Sequence, residues 1–192
     1  MRYTIIGGLN GVGKSTVYSL LTQSEKNDLG QRVNVDEIAA SLGHWEDISA
    51  QMTAGKMAVK QIKECIEAKQ NFHQESTLAG HSIIKTITNA KENGFFISLW
   101  YMYVDDISIA KQRVIARVAK GGHGIPEDVI ERRSKATLET LKRAVPLCDE
   151  MIVYNNTTVF NAVAHMSDGV LTILDKNIRK DILSCLTAGL SH

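Results

Sequence analysis

Residues 8–15 read Gly8-Leu9-Asn10-Gly11-Val12-Gly13-Lys14-Ser15, with Thr16 next. Glycines at these positions let a backbone curl until several N–H groups converge on one point, as phosphate oxygens require. The helix expected to follow adds its positive N-terminal end. Lys14 can reach the β- and γ-phosphates of a nucleotide, and the Ser15 hydroxyl can sit on Mg²⁺. The full spacing G-x-x-x-x-G-K-[ST], with a strand before and a helix after, marks a nucleotide-phosphate loop. Its expected binding residues are Gly8, Asn10, Gly11, Val12, Gly13, Lys14, Ser15 and Thr16, with ATP and Mg²⁺ as cofactors.

Carboxylates recur where strands should end. Asp36 follows Asn34-Val35, and in open α/β sheets ligands bind beyond the carboxyl ends of the strands. There it can deprotonate an attacking hydroxyl, or cap the helix expected over 37–42. Glu75, in Gln74-Glu75-Ser76-Thr77, can hold a substrate hydroxyl or hold Mg²⁺ through water, and Thr77 lies beside it. Asp105 and Asp106 follow an apolar strand and suit the start of a helix. Which carboxylate meets the metal stays open at this level.

Arg113 and Arg117 are four apart on one expected helix and share a face. Gly121, Gly122, His123 and Gly124 follow, then Pro126 opens a helix carrying Arg132 and Arg133. Two helices joined by a glycine-rich loop, with arginines on both sides, describe a lid over about 113–133. Guanidinium groups there would offset the charge that phosphoryl transfer spreads over the moving group. Arg117 and Arg133 are the preferred catalytic pair with Asp36 and Lys14; Arg132 and His123 join Glu75 and Thr77 as substrate candidates.

The elements that must position these groups follow from periodicity. Strands are expected at 3–7, 32–35, 71–75, 95–104 and 151–154. Helices are expected at 14–23, 37–42, 47–69, 80–93, from 105 to about 119, and from 126 to about 143. A polar loop is expected at 24–31. In 47–69, Ile48, Met52, Gly55, Val59, Ile62 and Ile66 recur at helical spacing and predict a buried face. Ser167-Asp168-Gly169 predicts the turn of an antiparallel hairpin, followed by a closing helix to 190. Strands alternating with helices predict an α/β, three-layer fold around a mostly parallel five-stranded sheet. With the lid and a C-terminal hairpin plus helix (about 159–190), residues 1–192 make a single domain.

The bulk composition is consistent with one globular unit. The chain has 192 residues, 44% hydrophobic and 22% charged, with a formal charge of +1. That balance carries no footprint for nucleic acid, so local arginines must do any anion binding. Cys65, Cys148 and Cys185 show no metal spacing and read as reduced thiols of a cytoplasmic protein. No apolar run is long enough to span a membrane.

Taken together, GGLNGVGKST, NVDEIA, QESTLAG and RVIARVAKGGHGIPEDVIERR resemble the zeta-toxin family of P-loop kinases, over residues 1–157. The family phosphorylates UDP-N-acetylglucosamine and is held inactive by an antitoxin. The resemblance implies that Lys14 and Ser15 hold phosphate and metal, that Asp36 is the base, that Glu75 faces substrate and that Arg117 binds phosphate at the base of the lid. Larger members carry a second lid arginine, where this chain has Gly122, His123 and Gly124, with Arg132 and Arg133 nearest. The expected activity is ATP-dependent phosphorylation of a hydroxyl on a small molecule, with a UDP-sugar as candidate. A nucleotide-dependent ATPase switch acting through a protein partner is the competing expectation.

Overall fold

The structure is a computed structural model and describes residues 1–43, 47–122 and 124–190. Its strands are β1 (Arg2–Gly7), β2 (Gln31–Val33), β3 (Phe72–Ser76), β4 (Phe96–Tyr103), β5 (Glu150–Asn155), β6 (Asn161–Ser167) and β7 (Val170–Ile173). They form one sheet in the order β2-β3-β1-β4-β5-β6-β7. The first five in that order are parallel, as expected. The hairpin does not stand apart: β6 pairs antiparallel with β5 and β7 with β6, so the sheet has seven strands. The hairpin thereby covers the outer edge of β5, whose backbone groups would otherwise lie unpaired. Asp168 and Gly169 make its turn with φ of 52° and 75°, the left-handed pair that matches strand twist.

Eight α-helices flank the sheet among the described residues: α1 (Lys14–Leu20), α2 (Gln23–Leu29), α3 (Val35–Leu42), α4 (Ile48–Glu67), α5 (His81–Glu92), α6 (Ile107–Val118), α7 (Glu127–Ala144) and α8 (Lys180–Gly189). Alternation along the strands sends side chains to two cores. Ile5, Leu99, Tyr101 and Val153 pack with α4, α5, α7 and α8. Ile6, Met102 and Val104 pack on the other face with Val17 of α1 and with Ala110 and Val114 of α6. Two faces, both covered, make the three layers and account for the nearly unbroken apolar run of β4.

Three local expectations are corrected. The segment expected as a loop at 24–31 is mostly helix α2, because Thr22 and Glu25 close a capping box: Glu25 N–H donates to Thr22 Oγ1, and Thr22 N–H to Glu25. The second strand ends at Val33, and helix α3 begins at Val35 rather than 37. Asn34 is its cap, accepting from the N–H groups of Asp36 and Glu37. On α4 the buried face is Ala50, Ala54, Ala58, Ile62, Cys65 and Ile66, whereas Ile48, Met52 and Val59 are exposed. The periodicity named the right helix and rotated its face, because small alanines, which hydropathy scores weakly, make the close approach.

His73 of β3 is fully buried and stacks on Tyr18 with centroids 5.0 Å apart. Burial, aided by the nearby Arg32 charge, lowers its pKa to about 4. The unfolded chain therefore takes up this proton first as pH falls below about 6.5. Stability carried by the neutral ring is complete above that value and is lost as pH falls toward 4. Between pH 7 and pH 5 the native chain should lose about 2 kcal/mol of unfolding free energy through this group. Urea melts of the native chain and His73→Gln at both pH values check it: the gap between the two should change by that amount.

Candidate active site

Strand β1 lies between β3 and β4, so the chain that leaves its carboxyl end enters the crevice where the connections diverge. That chain is the glycine loop. Gly11 has φ of 83° and Gly13 of 98°; a Cβ on the first would meet the Ala110 carbonyl oxygen at 2.2 Å, and on the second Asn156 Nδ2 at 2.3 Å. No residue with a side chain fits either place, so the loop backbone is held against α6 and the segment after β5. Asn156 secures this by donating from Nδ2 to the Val12 carbonyl at 2.8 Å.

Lys14 turns back on its own loop, donating to the carbonyls of Gly8 at 2.7 Å and Leu9 at 3.0 Å. Burial drives its pKa from 10.5 down to about 8, against the pull of Glu75 and Asp36. The ammonium that attracts phosphate is thus present below pH 8 and lost above it. Nucleotide affinity should fall by about tenfold per pH unit above 8, until the pKa in the complex is reached. A fluorescent-nucleotide titration from pH 7 to 9.5 measures this, and Lys14→Arg, whose charge does not titrate there, should flatten the slope.

The Ser15 hydroxyl donates to Glu75 Oε2 at 2.9 Å. This turns its lone pairs outward, the orientation a hydroxyl needs to ligate a divalent cation while keeping its proton on a carboxylate. Glu75 is itself fixed from behind: Arg32 Nη2 donates to Glu75 Oε1 at 2.6 Å, and the same guanidinium forks onto Glu37. Arg32 also lies over the Tyr18 ring, 3.5 Å from its centroid. Sequence reasoning missed Arg32. Its signal was an arginine two residues before the capping Asn34 on a strand that is otherwise a poor place for charge.

Asp36 sits in the first turn of α3, and because Asn34 takes the capping role its carboxylate remains free for the crevice. The residue is exposed, its carboxylate accepts no hydrogen bond among the described residues, and its charge acts on both Lys14 and Arg133. Arg133, half-buried on α7, donates to Asn10 Oδ1 at 3.0 Å. Arg117 of α6 buries Nε and Nη2 with no hydrogen-bond partner among the described residues. Two buried donors on a cation are costly unless an anion arrives to take them. Gly122 folds its backbone over the stem of Arg117, donating to the Arg117 carbonyl at 3.0 Å. Lys111 ties α6 to α7 through Glu127 and Glu131, which holds the helical hairpin together.

These groups line two adjoining clefts. The larger, about 720 Å³, runs past Gly11, Gly13, Lys14, Ser15, Thr16, Arg113, Arg117 and Asn156. The smaller, about 210 Å³, is bounded by Asn34, Gln74, Ser76, Thr77 and Arg133. Asn10, Lys14, Asp36 and Glu75 line both. Thr77 is held by its carbonyl, which accepts from the Thr137 hydroxyl at 2.8 Å. Gly8 and Val12 contribute backbone, the first as a carbonyl for Lys14. Arg113 is tied to the Thr157 carbonyl at 3.1 Å. Arg132 is exposed on α7 and lines neither cleft. His123 lies outside the described residues. Asp106 caps α6 by accepting from Ser108 N–H, and Asp105 accepts from Asn155 Nδ2, so both serve structure. Among the described residues no group of three or more His, Cys, Asp or Glu gathers to hold a metal. Magnesium in such loops takes a hydroxyl, phosphate oxygens and water instead, and Ser15 fits that donor set. No helix among the described residues is long and apolar enough to cross a membrane.

Comparison with known proteins agrees with this geometry. The chain is 36% identical over 126 residues to an uncharacterized protein of Haemophilus influenzae (strain ATCC 51907 / DSM 11121 / KW20 / Rd), covering 66% of this chain and 87% of that one. The crystal structure of AvrRxo1-ORF1:AvrRxo1-ORF2 with sulphate ions superposes with a TM-score of 0.71 at 16% identity, over 98% of this chain. This chain spans 64% of that one's length. A structure from the PezAT chromosomal toxin-antitoxin system of Streptococcus pneumoniae gives a TM-score of 0.66 at 15% identity, over 98% of this chain and 84% of that chain. These two likenesses speak for a shared fold. The zeta-toxin family profile matches residues 2–165, and the chain therefore belongs to the zeta-toxin family.

Proposed function

We propose that the protein is an ATP- and Mg²⁺-dependent kinase that moves the γ-phosphate to a hydroxyl of a small molecule. The observation that supports this reading most is the pair of clefts that share Lys14, Asp36 and Glu75. A nucleotide in the larger cleft, with its terminal phosphate at Lys14, would point that phosphate into the smaller one. An ATPase switch needs room for water there; a polar 210 Å³ pocket with a free carboxylate at its mouth suits an acceptor. Lys14 and the loop amides would hold the phosphates, and Asp36 would take the proton of the attacking hydroxyl. Arg117 and Arg133 would offset charge on the moving group. Ser15, backed by Glu75, would hold Mg²⁺, which would offset the negative charge of the phosphates.

The smaller pocket is below the ~300–1,000 Å³ usual for a whole organic ligand, so it would take only the reacting end of the acceptor. UDP-N-acetylglucosamine is the candidate that the family supports, with its sugar entering and the rest lying outside. An antitoxin is the candidate protein partner, supported by the toxin-antitoxin origin of one structural neighbour. The test is ATP turnover with and without acceptor. A kinase turns over ATP slowly alone and is stimulated by its acceptor; hydrolysis that no hydroxylated metabolite stimulates contradicts the proposal and favours the switch.

A further inference from the structure

Arg32 lines neither cleft of the kinase site, yet it grips Glu75, which lines both. Strand β2 forms one edge of the sheet, and Arg32 on it is opposite His73 of β3. Side chains alternate along a strand, so Glu75, two residues beyond His73, shares a face with Arg32. Tyr18 of α1 lies on that face, its ring stacked on His73.

The guanidinium is fixed on three sides. Nη2 donates to Glu75 Oε1 at 2.6 Å, Nε donates to Glu37 Oε2 at 2.9 Å, and the central carbon lies 3.5 Å from the centroid of the Tyr18 ring. Only a planar fork can share itself between two carboxylates while it stacks on a ring; an ammonium is a point charge. The Glu75 side chain is 7% exposed and that of Arg32 17%, so water screens this pair little, whereas Glu37 at 57% lies in solvent. Arg32 is the one ion-pair partner of Glu75 among the described residues, and a carboxylate so buried is costly without its cation. The second oxygen of Glu75, Oε2, accepts from the Ser15 hydroxyl at 2.9 Å. A serine hydroxyl rotates freely unless an acceptor fixes its proton. Glu37 and Tyr18 thus hold Arg32, Arg32 holds Glu75, and Glu75 orients Ser15.

We propose that Arg32 is a positioning residue of the kinase site, which acts through Glu75 to keep the Ser15 hydroxyl turned with its lone pairs open to Mg²⁺. Because it lines neither cleft, the guanidinium contacts neither nucleotide nor acceptor, and its effect passes through one carboxylate. Nucleotide binding without the metal is therefore indifferent to Arg32, whereas the gain in affinity that Mg²⁺ adds depends on it. This inference rests on the placing of Mg²⁺ at Ser15 in the kinase reading.

The test is binding alone: a fluorescent, non-hydrolysable ATP analogue titrated into the whole chain in EDTA and at rising Mg²⁺. Arg32→Met should raise the half-saturating Mg²⁺ concentration about tenfold and leave the affinity in EDTA within about twofold of native. Arg32→Lys, which keeps a cation beside Glu75 and with it the fold, should raise that concentration about threefold. In a Ser15→Ala background neither substitution should change it further, because the group through which Arg32 acts is gone. Equal losses with and without Mg²⁺, or the same loss in the Ser15→Ala background, would make Arg32 merely structural and overturn the proposal. A Mg²⁺ gain that both Arg32 variants keep in full overturns this proposal alone. A native chain whose nucleotide affinity Mg²⁺ does not raise overturns the metal half of the kinase reading, and this proposal with it.

Discussion

Asp36→Asn should lower phosphoryl transfer by about 10²–10⁴-fold while leaving nucleotide affinity near that of the native chain. The reasoning is local. Asn34, not Asp36, accepts the first N–H groups of α3, so the substitution removes no cap. Asparagine keeps the shape and loses the ability to take a proton. The nucleotide contacts proposed above come from the loop, Lys14 and Arg117, none of which is bonded to the Asp36 carboxylate among the described residues. Single-turnover rates together with a separate nucleotide titration distinguish this from a binding defect. A variant that lost affinity and rate equally would make Asp36 a binding residue.

Arg117→Met should cost more, about 10³–10⁵-fold in turnover, with no loss of thermal stability. The buried Nε and Nη2 make no hydrogen bond among the described residues, so the fold there holds a cation with two donors unpaired. Methionine fills much the same space without that burden. Activity and stability should therefore move in opposite directions, as they do where a site is strained for function. Thermal melts beside kinase assays check both halves. A large drop in melting temperature would show that Arg117 is structural after all.

The fold class was legible in the alternation of strands and helices, and the turn over residues 8–15 in its glycine spacing. Asp36 and Glu75 were legible because each ends a strand expected on the sheet edge where ligands gather. Arg32 was not, since its role depends on β2 pairing with β3, a contact between residues 43 apart in the chain. Asn156 was not legible either, since its bond to the loop at Val12 joins residues far apart in the chain. On α4 hydrophobic periodicity points to the exposed stripe, because Ile and Val outweigh the alanines of the buried face in hydropathy. The hairpin was legible from its turn, but its joining the main sheet was not, because edge pairing is decided in three dimensions.

The most direct test of the kinase account is to incubate the chain with Mg·ATP and a panel of hydroxylated metabolites that includes UDP-N-acetylglucosamine, and to read the products by mass spectrometry. The account predicts one metabolite gaining a single phosphoryl group, with ADP formed in equal amount, and no such product from Asp36→Asn. ADP and free phosphate accumulating with every metabolite in the panel left unmodified would contradict it.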